Sequence, residues 1–530
     1  MEPPPPPPQS EQQRPRQTLA SNVLHVRWVI ITMLVGWQGG YVSTVDEIQV
    51  SVSPCDRVDA GDSKDGETSG YLIPHLPEDI WRHIHFLMPM DAAARAACLS
   101  HAFLSSWRCY PKLDLNRRTL FSEACSDNLS CRIDNILNNH SGIGLKILRL
   151  DLRSRHIPFP CIDKWLQVAV TPGIEELTLL LDQKYKFPCS VLSDGVRSTI
   201  QSLQLDYCIF HHMLELGPLR SLTRLRLMHV HITGEELECL LSNSLALEHL
   251  DLNDCDELTF LKIPSVLLKL SYLSVIGCWD LQVTENKASS LSSLTLFVEV
   301  SKLSLGETSQ MKCLSLRREN VVCYARANLP SIMPNLETLA LGSWSEVNTP
   351  MLPTKFLNLK HLTIQITGET LSPSYDYFSL VSFLDASPSL ETWWLDVSQE
   401  DMEHESIFGG SSHLRQLPDR HHDRLKSFEV IGFSSAKGLV ELTWCIVKSS
   451  ISLEQLTLDT LHGDGRCSGG NDNDRRDKFC CSVSQAVLEE AFRGVAAIRK
   501  YIEDKVPPTA KLIVLEPCPL CHGTTVDYDR

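Results

Sequence analysis

One short phrase recurs thirteen times between residues 145 and 460: an apolar residue, then two more at the third and fifth positions after it. It reads Leu145-x-x-Leu148-x-Leu150 at its first occurrence and Leu453/Leu456/Leu458 at its last. Variants keep the apolar character, as in Leu270/Leu273/Val275, Leu390/Trp393/Leu395 and Leu425/Phe428/Val430. Successive first positions lie 20 to 35 residues apart. Self-similarity at such a period constrains the architecture more tightly than any local propensity. The third and fifth positions share one face of a short strand, because side chains alternate across a strand. A single unit cannot bury that face alone, so neighbours must stack and share one core.

The period is that of leucine-rich repeats. The expected fold class is therefore α/β: a curved parallel sheet with one strand per repeat, and helices or irregular segments on the convex side. A solenoid grows in one dimension, so 530 residues need no single oversized core. Cys208, Cys255 and Cys278 stand eight residues after the first apolar position of their repeats, where the pattern asks for Asn or Cys. They read as buried structural thiols.

The net charge of −16 argues against a nucleic-acid surface, which needs clustered Lys and Arg. Nineteen cysteines are scattered and odd in number, unlike the paired cysteines that cap extracellular repeat proteins. Reduced thiols and a cytoplasmic or nuclear location are expected. Residues 1–70 are read as disordered linker. Pro3 to Pro8 form a polyproline tract, and Asp56 to Gly70 are acidic and rich in small polar residues. Within that stretch, 23–35 is apolar but carries His25 and Arg27. It falls short of the about 20 residues that a membrane span needs, and a long polar segment precedes it, unlike a signal peptide. A buried apolar segment is favoured, with a membrane or signal role as the alternative.

Residues 74–111 carry a different pattern. Pro77 suits the first turn of a helix, and Glu78 and Asp79 place negative charge at its positive end. Ile80, Ile84 and Leu87 form an apolar stripe before Pro89 ends the helix. Asp91 can cap a second, alanine-rich helix, and Leu99, Phe103 and Trp107 give a third apolar face. Three such short helices carry more apolar surface than they can hide among themselves, so the module needs a partner.

The string Leu76-Pro77-Glu78-Asp79-Ile80, with Ile84, Leu87, Leu99-Ser100, Phe103 and Trp107, resembles an F-box of the kind found in plant F-box/leucine-rich-repeat proteins. The resemblance implies a module, residues 71–120, that docks on a Skp-type adaptor of a cullin–RING ubiquitin ligase. Its adaptor-facing residues here are Leu76, Pro77, Ile80, Ile84, Leu87, Leu99, Ser100 and Trp107. Repeats then fill 121–424. Residues 425–515 resemble the FBD-like strand–helix–strand tail of plant members, with Leu439, Leu442, Ile446 and Val447 on a helix, a second helix at 486–502 and a strand at 511–515. Residues 516–530 are a tail.

No catalytic, metal or cofactor site is read from the remaining motifs. Cys518-Pro519-Leu520-Cys521-His522 matches the haem-attachment spacing, but that chemistry needs an oxidising compartment and a haem-binding fold. Zinc through Cys518, Cys521 and His522 lacks a fourth ligand unless Cys480 or Cys481 folds back. Glu400, Asp401, Glu403, Glu405, His404 and His421-His422 lie in a long insertion, 398–424, read as a solvated loop. Trp394 is different. Trp393 takes the core position, so Trp394 must face the solvent side of the sheet, either packed under the 398–424 insertion or serving as a binding residue, since Trp is enriched at binding hot spots. The same register puts Arg226, Asp251, Thr295 and Ser315 in one row with it, the expected target surface.

The function expected is substrate recognition in an SCF-type E3 ubiquitin ligase, by a non-catalytic subunit. Its F-box would hold the adaptor and, through it, the cullin, while the repeats hold a target protein. The alternative is a ligase-independent repeat scaffold or receptor, with the helices serving only as an end cap. A small molecule gluing target to repeats is a third possibility, though no basic phosphate-binding cluster marks the strands.

Overall fold

The structure is a computed structural model of the chain. It describes residues 77–99, 101–120, 129–153, 157–210, 217–298, 302–367, 375–397, 404–409, 413–415, 421–461 and 483–518. All described residues lie in one compact unit, His75–Arg530. The apolar segment 23–35 and the acidic linker lie outside the described residues.

Among the described residues, fifteen strands form one parallel sheet in which spatial order follows chain order. They are β1 (Lys112–Leu115), β2 (Ile147–Asp151), β3 (Glu176–Leu180), β4 (Ser202–Asp206), β5 (Arg224–Met228), β6 (His249–Asn253), β7 (Tyr272–Ile276) and β8 (Ser293–Phe297). They continue as β9 (Cys313–Arg317), β10 (Thr338–Ser343), β11 (His361–Ile366), β12 (Thr392–Val397), β13 (Ser427–Ile431), β14 (Gln455–Asp459) and β15 (Lys511–Leu515). The register aligns the third positions of the phrase from Leu148 through Leu250 and Trp393 to Leu456. Each is at most 2% exposed. The repeated phrase is thus the core of a leucine-rich-repeat solenoid.

β1 lies within the stretch assigned to the helical module. Its phrase is Tyr110-x-x-Leu113-x-Leu115, with a tyrosine where the others carry an aliphatic residue or Met, which is why the repeat is hard to see. Tyr110 is nonetheless 2% exposed and fills the same core slot.

What returns the chain to the next strand depends on how many residues are available. A helix advances about 1.5 Å per residue and a strand about 3.3 Å, so a helical return needs more than twice the length. Long repeats return through helices such as Phe159–Ala169, Gly234–Ser242 and Val321–Ile332. The helix Gly234–Ser242 starts at a capping box in which Thr233 and Glu236 satisfy each other's backbone N–H groups. Three consecutive short repeats return through strands Phe260–Ile263, Val283–Asn286 and Lys302–Ser304, which pair into a second sheet. At the end of β4 to β7 the chain turns through left-handed residues: Tyr207, His229, Asp254 and Gly277. At Gly277 a side chain would also collide with the Asp254 carboxylate. The turns lead inward, and Cys208, Cys255 and Cys278 are fully buried as expected. The Cys255 N–H points at the Cys278 sulfur, 3.4 Å away.

The C-terminal end is closed by α-helices and a final strand. The helix Lys437–Ser449 buries Leu439, Leu442, Ile446 and Val447, and the helix Gln485–Ala497 precedes β15. The insertion 398–424 is a solvated loop only in part: Glu405 and His421 are exposed, but other described residues anchor it to the cap, which corrects the sequence expectation for those. Ile407 is fully buried. His404 Nε2 lies 3.1 Å from Glu490 Oε1, which also accepts the Ser435 N–H at 2.7 Å. His422 is buried, donates from Nε2 to the Ser387 carbonyl at 2.8 Å, and accepts the Leu425 N–H on Nδ1. Arg415 places Nε 2.9 Å from the buried Glu441 carboxylate and donates to Asp376 at 2.6 Å. Spacing along the chain cannot reveal such partners, because they come from distant repeats.

Candidate protein-interaction surfaces

The first surface is the helical module. It consists of α1 (Glu78–Leu87), α2 (Met90–Ala97) and α3 (His101–Arg108). Pro89, with its extended backbone, occupies the N-cap of α2, and Asp91 lies at the second helical position, within the first turn, paired with Arg95 at 2.9 Å. The expectation that Asp91 caps this helix is therefore corrected: Pro89 already ends α1 and begins α2. Alanines make α2 thin enough to be sandwiched. Ala96 and Phe103 pack with Ile84 and Met88 on one side, while Met90 and Ala93 join the solenoid core.

Tyr110 ties the two parts together. Its hydroxyl donates to the Met88 carbonyl at 2.9 Å, and its ring stacks on Trp107 with centroids 5.3 Å apart. The residues expected to face an adaptor therefore divide. Leu87 and Leu99 are 60% and 71% exposed, and Pro77 is exposed. Ile80 is half-buried, whereas Ile84 and Trp107 are half-buried with inward packing. Leu76 and Ser100 lie outside the described residues. Phe86, 46% exposed beside Leu87, was missed because it falls off the apolar stripe of α1.

The second surface is the solvent face of the sheet, the concave side of a solenoid of this kind. Residues between the two apolar positions of each strand align there. Arg226 stands opposite Asp251, and the row runs on through Ser274 and Thr295 to Ser315. It passes Ala340 and Thr363 to Trp394, then Glu429 and Thr457. The five residues read from sequence as one row do share one row. Its early part is self-neutralised: Arg226 Nε donates to Asp251 at 2.9 Å, and Arg149 approaches Asp114 to 3.9 Å. Such exposed pairs add at most ~1 kcal/mol, but they leave little net field. The middle is small and uncharged. Beyond it, burial and the Asp459 carboxylate push the Glu429 carboxyl above its ordinary value. Sequence reading passed over Glu429, although it stands between Phe428 and Val430 of the phrase.

Among the described residues, no group of three or more His, Cys, Asp or Glu is arranged to hold a metal. Cys480, Cys481 and residues 519–530 lie outside the described residues, and Cys518 is half-buried. No described helix is long and apolar enough to cross a membrane.

The geometry of stacked strands agrees with sequence comparison. The family described as "At1g61320/AtMIF1, LRR domain" matches residues 136–519. The chain belongs to this family. The match takes in β2 to β15 and the terminal cap. F-box protein At5g03100 of Arabidopsis thaliana is 26% identical over 39% of this chain, and the alignment spans 63% of that protein's own length. At1g61330 of the same plant, which carries the name FBD-associated F-box protein, is 22% identical over 73% of this chain and 90% of its own length. F-box/LRR-repeat protein At3g03360 is 25% identical over 61% of this chain and 70% of its own length. Family and relatives together make this a plant F-box/leucine-rich-repeat protein. In such a protein the two exposed surfaces, one on the helices and one on the sheet, lie on a single compact unit.

Proposed function

We propose that this F-box/leucine-rich-repeat protein is the non-catalytic substrate-recognition subunit of an SCF-type ubiquitin ligase. The helical module docks on a Skp-type adaptor and through it on the cullin, and the sheet face holds the target. The mechanism is proximity: tethering raises the effective concentration of the target near the ubiquitin-charged partner. Residues 71–120 serve as the F-box, with Leu76, Pro77, Ile80, Leu87, Leu99 and Ser100 toward the adaptor. Ile84 and Trp107 support them from within. A cytoplasmic or nuclear location goes with this role.

The observation that carries the proposal is the exposure of three large apolar side chains, Phe86, Leu87 and Leu99, on the helical module. Large aliphatic side chains left in water at helix ends argue for a partner that covers them. The names of the relatives support the adaptor as that partner. One observation favours the scaffold reading instead: Met90 and Ala93 feed the solenoid core, so the helices also cap its first repeat. Binding of purified Skp-type adaptor to the full chain separates the two. Leu87→Asp with Leu99→Asp introduces charge into a desolvated contact and should cost several kcal/mol of association. Both side chains are exposed, so the melting midpoint should hold. No adaptor binding by the wild type would leave the scaffold reading standing, and equal binding by wild type and double variant would overturn Leu87 and Leu99 as adaptor contacts.

A further inference from the structure

Trp394 and Glu429 stand directly opposite each other on β12 and β13, on neighbouring parallel strands about 4.8 Å apart. Both are half-buried on the solvent face of the sheet. Neither the Trp394 indole N–H nor the Glu429 carboxylate has a hydrogen-bond partner among the described residues. Elsewhere in the same row carboxylates are matched within the chain, as Asp251 is by Arg226 and Asp114 by Arg149. Glu429 is the exception.

Its surroundings make the exception costly. One step along the strands, Ile431 lies between Asp396 and Asp459 in the register. Across β11 to β15 Lys511 is the only Lys or Arg, and it sits at the start of the terminal strand. Glu429 is therefore partly desolvated and repelled by Asp459. A cation arriving from outside relieves both penalties at once.

We propose that Trp394 and Glu429 together seat an arginine or lysine side chain from a basic, extended segment of the recruited protein. The proposal rests on the sheet face being the target-holding surface. The chemistry fits a basic side chain better than any other. An indole attracts a cation to its ring, and a carboxylate beside it completes an ion pair in reduced dielectric. Arginine can meet both groups with one planar head. Ile431 and the indole give the aliphatic stem an apolar bed. An acidic segment would be repelled by Glu429, and a neutral one would bury its carboxylate without a partner.

The test uses a displayed library of random dodecapeptides selected on the full chain. The proposal expects wild-type selections to be enriched in Arg or Lys at one position. A selected peptide should bind Glu429→Gln about 10- to 100-fold more weakly. Glu429→Lys should regain affinity when that basic residue of the peptide is replaced by Glu. Glu429→Gln is nearly isosteric and should keep the melting midpoint, which makes the result independent of how Trp394→Ala folds. Peptides that lose binding in Thr295→Trp or Arg226→Ala but show no basic preference would overturn the basic-segment proposal and leave the sheet face as the target surface. Failure to select any peptide sensitive to a substitution in the row would overturn both.

Discussion

The Tyr110 hydroxyl donates to the Met88 carbonyl at 2.9 Å, joining the helical module to the first repeat of the solenoid. Burial, and then the Asp91 carboxylate, raise the pKa of this phenol, so it remains a donor across the working pH range. Tyr110→Phe keeps the stacking on Trp107 and removes only the hydrogen bond. It should lower stability by about 1 kcal/mol. Tyr110→Ala also empties a core slot and should cost about 3–5 kcal/mol. Hydrogen exchange localises the effect: residues 78–108 should lose protection in the Ala variant before β2 to β14 do. Uniform loss along the chain would mean that Tyr110 does not serve as the joint.

His140 gives that joint a pH dependence. Its Nδ1 accepts the Gly142 N–H at 3.0 Å, which leaves Nε2 to donate to the Tyr110 carbonyl at 2.9 Å. Both nitrogens are committed in the neutral ring, and burial lowers its pKa below the ordinary 6.5 against the opposing backbone hydrogen bond. Between that lowered value and about 6.5 the unfolded chain binds the extra proton and the folded chain does not. Stability from this residue is therefore complete above about pH 6.5 and lost as pH falls, with a slope no steeper than ~1.4 kcal/mol per pH unit. Denaturant midpoints at pH 7.5 and 5.5 should differ less for His140→Gln than for wild type.

In the core row, Leu250→Ala should destabilise by about 2–5 kcal/mol through lost burial and a cavity. Asp251→Ala, one residue on, removes only an exposed pair with Arg226 and should cost less than about 1 kcal/mol. Chemical denaturation of the two variants measures the contrast directly. Comparable losses would contradict the register of β6.

Thiol labelling offers a check on the turns. Cys98 and Cys131 are exposed, whereas Cys208, Cys255 and Cys278 are buried. Burial also drives the Cys208 thiol far above its ordinary value, which starves it of thiolate. Brief treatment of the native chain with iodoacetamide, read by peptide mass spectrometry, should modify Cys98 and Cys131 and spare the other three. Their reactivity should appear only in denaturant.

Much of this was legible beforehand because it depends on short-range periodicity. Two apolar residues two apart, recurring at a solenoid's spacing, already place Leu148 and Leu250 in one core row and Arg226, Asp251 and Trp394 on the opposite face. Alternation along a strand leaves no other register once one side must be buried. The helices of the terminal cap were legible for the same reason, since Leu439, Leu442 and Ile446 keep helical spacing.

Other features depend on residues far apart in the chain meeting across repeats. Tyr110 does not look like the first residue of a repeat until Leu113 is seen paired with Leu148. His422 looks like a loop histidine until the Ser387 carbonyl, 35 residues away, meets its ring. Glu429 looks like one more exposed acid until the register sets it beside Trp394 and shows that nothing in the described chain answers its charge. Local pattern determines which side of a strand each residue occupies. Only the stacking of repeats decides which residues become neighbours, because hydrogen bonds and ion pairs act over a few ångströms of space regardless of separation in sequence.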